Sequence, residues 1–299
     1  MDAPILWGIP LMQNRKSTIT ETTSIRDILD NISFDSIVVL DLDNTTITSS
    51  SDLGGESWFG KLIEHTSTLT LDKKESIGLV ITVYNAVQYH IKAKPVEPNI
   101  VTIIKRLQDL GLPVIALTAR GKEIIEPTLR QLDENGIHFD EDNIIFCDGG
   151  HKGDKLAAYL KQHSLQPGHI LMVDDKKKHL DHVKESVEKL SIRFHGLRYG
   201  LLDQEIDKHD MTTAHAQLAH IKKHLPSDAQ KAIEKLNLIP SDLTLSECKL
   251  SKDFILPEKK LESNSHTTKN QHTLFSKKRQ LGLKDLNINP QPVKRARTC

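Results

Sequence analysis

The chain reads as an α/β protein: a Rossmann-like parallel five-stranded sheet flanked by helices, with a small helical cap insertion after the first strand. Three observations predict this. Short apolar runs recur at Ile37–Leu40, Val114–Leu117, Ile144–Cys147, Ile170–Val173 and Ile192–Leu197, and runs of this length and composition are buried parallel strands. Helical stripes separate the last four, the rhythm of a sheet with helices on both faces. Residues 48–98 interrupt that rhythm with a helical pattern of their own.

Taken in order, Ser24-Ile25-Arg26-Asp27 reads as a capping box. It opens a short helix with Ile25, Ile28, Leu29 and Ile32 on one side. The strand Ile37–Leu40 follows. The insertion carries Trp58, Phe59, Leu62 and Ile63, then Ile77, Val80, Ile81, Tyr84, Val87 and Ile91 at helical spacing, and ends before Pro95 and Pro98. Ile103, Ile104, Leu107 and Leu110 mark the next helix, stopped by Gly111. Ile124, Ile125, Thr128, Leu129 and Leu132 mark another, stopped by Gly136. Leu156–Leu160 and the stripe Leu180, Val183, Val187 and Leu190 complete the alternation. Residues 203–236 are helical, with Ile206, Ala214, Leu218 and Ile221 on one stripe and Ser227 capping a second helix. The predicted division is a core of residues 1–47 and 99–236, a cap of residues 48–98, and a basic, disordered tail of residues 237–299.

Bulk composition narrows the class. At 299 residues the chain can bury a full core. Its net charge of zero hides an asymmetry: from Pro257 to Cys299 there are ten Lys/Arg against three Asp/Glu. Cys147, Cys248 and Cys299 form no Cys-x-x-Cys spacing, which predicts a reducing compartment. The apolar stretch Ile5 to Met12 is short and broken by Gly8 and Pro10, so neither signal peptide nor membrane span is expected. The expected location is cytoplasmic.

Chemistry gathers where the strands end. In Val38-Val39-Leu40-Asp41-Leu42-Asp43-Asn44-Thr45-Thr46, two aspartates one residue apart leave the first strand. Open α/β sheets bind ligands at that end, and alternate residues of an extended segment face one cavity. One carboxylate can attack while the other moves protons. Acids at strand ends also simply start turns. Val114–Leu117 runs into Thr118-Ala119-Arg120. Ile144–Cys147 leads into Gly149-Gly150-His151-Lys152-Gly153, which delivers a lysine at a helix start; Lys155 competes for the same role. Ile170–Val173 ends in Asp174-Asp175, a hard oxygen pair that suits Mg²⁺.

These four pieces, in this order and at these strand ends, resemble the haloacid dehalogenase (HAD) superfamily of aspartate-dependent phosphohydrolases over residues 35 to 200. Asp41-Leu42-Asp43-Asn44-Thr45 is similar to its first motif, Thr118 to its second, Lys152 to its third and Asp174-Asp175 to its fourth. Val96-Glu97-Pro98, Ala116-Leu117-Thr118-Ala119-Arg120 and Val173-Asp174-Asp175-Lys176-Lys177 resemble an uncharacterised HAD branch known from intracellular bacteria. The resemblance implies Asp41 as nucleophile and Asp43 as general acid and base. It implies Mg²⁺ held by Asp41, the Asp43 backbone carbonyl and Asp174, with Asp175 either behind these ligands or an alternate metal partner. Thr118 and Lys152 would stabilise phosphoryl oxygens, and Thr45 would brace the turn. Dehalogenase members lack an acid at the Asp43 position, so phosphate transfer is the implied reaction. A cap favours a small phosphorylated metabolite over a bulky protein.

Weaker features remain open. Arg120 either contacts substrate or forms a structural ion pair. His209, His215, His220 and His224 lack a completed zinc pattern and read as surface residues. Lys176–Lys178 reads as a solvated helix start. Lys277-Lys278-Arg279 and Lys294-Arg295-Ala296-Arg297 resemble a loose bipartite nuclear-import signal or a nucleic-acid contact. Two other functions are thereby kept: a non-catalytic binding module or exported effector on the same fold, and a nucleic-acid 3′-end phosphatase.

Overall fold

The computed structural model describes residues 16–206, 208–240, 243 and 254–255. The chain divides into Met1–Pro257 and Glu258–Cys299, and every described residue lies in the first unit. The readings of Ile5 to Met12 and of the two basic clusters fall outside the described residues.

In chain order the elements are β1 (Thr18–Thr22), α1 (Ile28–Asn31), β2 (Ser36–Leu40), β3 (Ile47–Ser49), α2 (Glu56–Thr66), α3 (Lys73–Gln88), β4 (Ala93–Pro95), α4 (Ile100–Asp109), β5 (Val114–Thr118), α5 (Ile125–Asp133), β6 (Ile144–Phe146), α6 (Lys152–Gln162), β7 (His169–Asp174), α7 (Lys177–Glu188), β8 (Arg193–Tyr199), α8 (Asp203–Ile206), α9 (Met211–Ile221) and α10 (Ser227–Lys235). Six strands form one sheet in the order β1-β8-β7-β2-β5-β6, and every pairing is parallel.

The sheet has one strand more than the five expected. The extra strand, β1, has the sequence TITET and lies at an edge, paired with β8 from Thr18 opposite His195 to Thr22 opposite Tyr199. A strand covered on only one side needs no apolar run, so it left no apolar signature. The predicted helix at Ser24 is also reduced. It is a 3₁₀ turn, Ile25–Asp27, followed by the single turn of α1.

Alternation along the strands divides the sheet's two faces. Val38, Leu40, Val114, Ala116, Leu171, Val173 and Leu197 pack on one side with Ile25, Ile28 and the stripe Ile100, Ile103, Ile104 and Leu107 of α4. Ile37, Val39, Ile115, Leu117, Ile170 and Met172 pack on the other with Leu156 and Leu160 of α6 and Leu180, Val183 and Val187 of α7. Buried on both faces, these strands must be apolar throughout. Leu110, Leu129, Leu190 and Ile81, assigned to buried stripes by their spacing, are exposed.

The insertion stands on a stem, where β3 and β4 pair antiparallel from Ile47 opposite Pro95 to Ser49 opposite Ala93. Its helices bury Trp58, Leu62, Val80, Val83 and Val87 in a third core. That core also holds Ala214, Leu218 and Ile221 of α9, Ala229, Ala232 and Ile233 of α10, and Leu236 and Leu238. The predicted division is therefore redrawn. Helices α9 and α10 belong with the insertion, not with the sheet, and the cap is built from two separate chain segments. The packed region also runs past residue 237: Phe254 bridges Ile91, and the Ile255 N–H donates to the His90 carbonyl at 2.8 Å.

Candidate active site

β2 lies between β7 and β5, and the strand order departs from it in opposite directions. Such a switch point opens a crevice at the carboxyl ends of the strands. Leu40 is level with Val173 on β7 and Ala116 on β5. Asp41, the next residue, therefore emerges beside Asp174, and its N–H donates to the Val173 carbonyl at 3.0 Å. Thr118 ends β5 in the same layer, fully buried.

A turn then forms around Leu42, whose carbonyl accepts from the N–H groups of Thr46 and Ile47, both at 2.9 Å. Asn44 takes the left-handed region at φ 57°, a conformation asparagine tolerates. Thr46 Oγ1 donates to the Asp41 carbonyl at 2.6 Å. Thr45 Oγ1 accepts the Asp175 N–H at 3.1 Å, bracing one aspartate pair against the other.

Lys152 arrives from the opposite side at the start of α6. Its Nζ donates to Asp41 Oδ1 and to Asp174 Oδ2, each at 2.7 Å. Gly153 permits this seating. A Cβ there would come within 2.4 Å of the His182 carbonyl and of Ser186 Oγ on α7. Lys152 rather than Lys155 occupies the cluster, and its buried ammonium is held firmly charged by the two carboxylates.

The carboxylates differ sharply from one another. Burial pushes Asp41 up to about 6, opposed by Lys152 and reinforced by Asp174. Burial and the charges of Asp41 and Asp174 push Asp175 up to about 8. Asp174 stays below the usual range: burial raises it, but Lys152 and His179 outweigh that. Its Oδ1 accepts the Lys176 N–H at 2.8 Å and lies 3.1 Å from His179 Nδ1. Asp43 does not join this cluster directly. Arg120 grips it with two bonds, Nε to Oδ2 at 2.9 Å and Nη2 to Oδ1 at 2.8 Å. Burial would raise Asp43, yet Arg120 together with Lys152 and Lys176 holds it low. Arg120 is thus an ion-pair partner within the site, and its own N–H donates to Thr118 Oγ1 at 3.1 Å.

The donor set fits a hard divalent cation. Asp41, Asp174 and His179 each offer a ligand atom, all within 4.8 Å of one another. Asp175 Oδ1 is buried without a hydrogen-bond partner. An orphaned carboxylate oxygen beside two further carboxylates calls for positive charge beyond what Lys152 supplies. The Asp43 carboxylate is committed to Arg120, which leaves its backbone carbonyl as the atom it could offer.

Several neighbours escaped the sequence reading. Lys176, exposed at the start of α7 as expected, also pairs through its Nζ with Glu56 of the cap. Asn44 Nδ2 donates to the same Glu56 at 3.2 Å. Tyr84 of α3 lies in the field of Asp43, Arg120 and Asp41, and burial keeps its phenol protonated. Its spacing marked it only as a core position. His209, read as a surface residue, has a side chain 8% exposed and lies 3.9 Å from Asp52. A cavity of about 420 Å³ beside Asn44 and Glu56 is lined by Thr48, Ser49, Lys94 and His209 among others.

Similarity to known proteins is partial. A protein of Chlamydia pneumoniae named "Putative outer membrane protein" is 22% identical over 228 residues, covering 70% of this chain and 87% of its own length. One of Chlamydia muridarum with the same name is 23% identical, covering 65% and 82%. No helix among the described residues is long and apolar enough to cross a membrane. Among solved structures, a hydrolase from Pseudomonas syringae aligns with 14% identity over 57% of this chain and 98% of its own, at a TM-score of 0.39. A haloacid dehalogenase-like hydrolase from Streptococcus pneumoniae aligns with 16% identity over 55% and 95%, at a TM-score of 0.40. Overlaps this loose assign no chemistry. The sequence model of one family matches residues 19–145 and 141–231, most of the chain, which therefore belongs to the family described as "Protein of unknown function (DUF2608)".

Proposed function

We propose that this protein is a Mg²⁺-dependent phosphatase of small phosphorylated metabolites that works through an aspartyl-phosphate on Asp41. The observation that carries the reading is the convergence at one switch point of groups from three strand ends. Lys152 bridges Asp41 and Asp174 at 2.7 Å each, with Asp175 orphaned beside them. A structural ion pair needs one carboxylate per lysine; two on one lysine with a third, unpartnered, beside them suit the handling of a dianion and its counter-cation.

In the first step an Asp41 oxygen attacks phosphorus and the bond to the leaving oxygen breaks, its electron pair staying on that oxygen. Asp43, which Arg120 holds ionised at rest, takes up a proton from solvent as one of its two Arg120 bonds opens, and delivers it there. In the second step Asp43 takes a proton from water, whose oxygen displaces Asp41 from phosphorus. Lys152 and the Thr118 hydroxyl neutralise charge on the phosphoryl oxygens. Asp41, Asp174, Asp175 and the Asp43 carbonyl would hold the ion, which, when bound, shields nucleophile and phosphate from mutual repulsion.

The test is turnover of p-nitrophenyl phosphate with Mg²⁺ and with excess chelator. Release that requires Mg²⁺ and disappears in Asp41→Asn supports the reading. Full activity in chelator, or undiminished activity in Asp41→Asn, rejects it. The nucleic-acid 3′-end reading rests on basic clusters outside the described residues and gains nothing from the site.

A further inference from the structure

A buried polar chain leads from Asp43 into the cap. Arg120 is 7% exposed and spends its guanidinium in two directions. One edge grips Asp43. From the other edge, Nη1 donates to Thr128 Oγ1 at 3.0 Å and to Gln131 Oε1 at 2.7 Å, both on α5. Gln131 Nε2 lies 3.3 Å from Gln88 Oε1 on cap helix α3. Gln88 Nε2 donates onward to the Gly54 carbonyl at 2.8 Å, at the start of the insertion. Thr128, Gln131 and Gln88 are fully buried.

Helix α5 also closes the carboxyl end of α3 from outside. Arg130 donates to the carbonyls of Gln88, Tyr89 and Ile91 at 3.0–3.1 Å. The seam between sheet domain and cap is thus built on α5, and the acid of the proposed reaction is tied to that seam. Gly54 is forced into the arrangement: its φ is +79°, and a Cβ there would sit 2.4 Å from Ile91 Cδ1.

We propose that Arg120 is the positioning residue for Asp43, and that the link through Gln131 to Gln88 makes the placement of Asp43 depend on the seating of cap helix α3. This deepens the phosphatase reading and rests on it. A glutamine pair is suited to the task. Each amide both donates and accepts, so the chain has one direction and one geometry. Burial penalises any arrangement that leaves a member unpaired. Arg120 offers a planar fork that fixes a carboxylate in orientation as well as distance, which a lysine would not.

The experiment separates protonation of the leaving group from everything else. Gln88 makes no hydrogen bond to Asp41 or Asp43, and Gln88→Leu removes the cap's end of the chain. Gln131→Met removes its middle and serves as the second variant should the first fold poorly, which thermal melting reports. Each is assayed by rapid quench on glycerol 2-phosphate, whose alkoxide must be protonated to leave, and on p-nitrophenyl phosphate, whose phenolate need not be. The expected result is a loss of about tenfold or more in phosphoryl transfer from the alkyl ester, KM within about twofold, and a loss below about threefold on the aryl ester. Equal losses on both esters, or no loss on either, would overturn the inference while leaving the phosphatase reading standing. A wild-type protein that turned over neither ester would overturn both.

Discussion

Asp41 and Asp175 differ from ordinary carboxylates for reasons that can be read out. Asp41→Asn keeps the shape of the side chain and removes the proposed nucleophile. It is expected to cost several orders of magnitude in turnover, on the order of 4–8 kcal/mol of barrier, with little change in melting temperature. Asp175 is raised to about 8 by burial and by the charges of Asp41 and Asp174. A carboxyl raised on folding binds its proton more tightly in the native state. In metal-free protein its stabilising effect is therefore complete in acid and is lost as pH climbs towards about 8. Asp175→Asn should flatten that decline, gaining about 2 kcal/mol at pH 8 in the absence of metal. Added Mg²⁺ should act oppositely. The ion needs deprotonated oxygens, so its elevation of the wild-type melting temperature should be larger at pH 8 than at pH 6. Differential scanning fluorimetry at both pH values, with and without Mg²⁺, measures both effects. A pH-independent shift would contradict the assigned donor set.

At the scale of elements, the cap depends on chain distant from its own sequence. Its core takes Val80, Val83 and Val87 from α3 and Ile233 and Leu236 from beyond the sheet. Ile233→Ala is expected to cost about 2–4 kcal/mol, as for other buried large-to-small changes. Its signature is regional: hydrogen exchange should accelerate in α2, α3 and α9 before it does in β2 or β7. Uniform acceleration would show that cap and sheet unfold as one. Gly153→Ala tests the opposite junction. It is expected to push α6 away from α7, displace Lys152 and depress activity more than stability, because the clash involves the His182 backbone, which cannot rotate away.

At the scale of the whole molecule, the charge surplus beyond Pro257 lies in its own unit. Deleting residues 258–299 is expected to leave the melting temperature and turnover of the remainder unchanged, because every described member of the three cores lies before it. Any affinity for nucleic acid should fall on deletion, most clearly at low salt. A truncation that fails to fold would refute this division of the chain.

Parallel strands, their order along the chain and the polar residues gathered at their ends were legible in the residues alone. Burial on both faces forces continuous apolar runs, and a run that stops at Asp41, Thr118 or Asp174 announces its own end. The edge strand β1 was not legible, since one covered face demands little of TITET. The composite cap was not legible either. An amphipathic stripe such as Ala214, Leu218 and Ile221 says that a face is buried, never against what. Partners of charged groups follow the same rule. The sequence offered Arg120 two fates of equal standing, and folding alone brought it to Asp43, 77 residues away, with Gln131 and Gln88 behind it. Local pattern settles which residues leave water, because that depends on each segment's own periodicity. Pairing among the buried polar groups waits for the tertiary structure, because it depends on which distant segments the shared cores draw together.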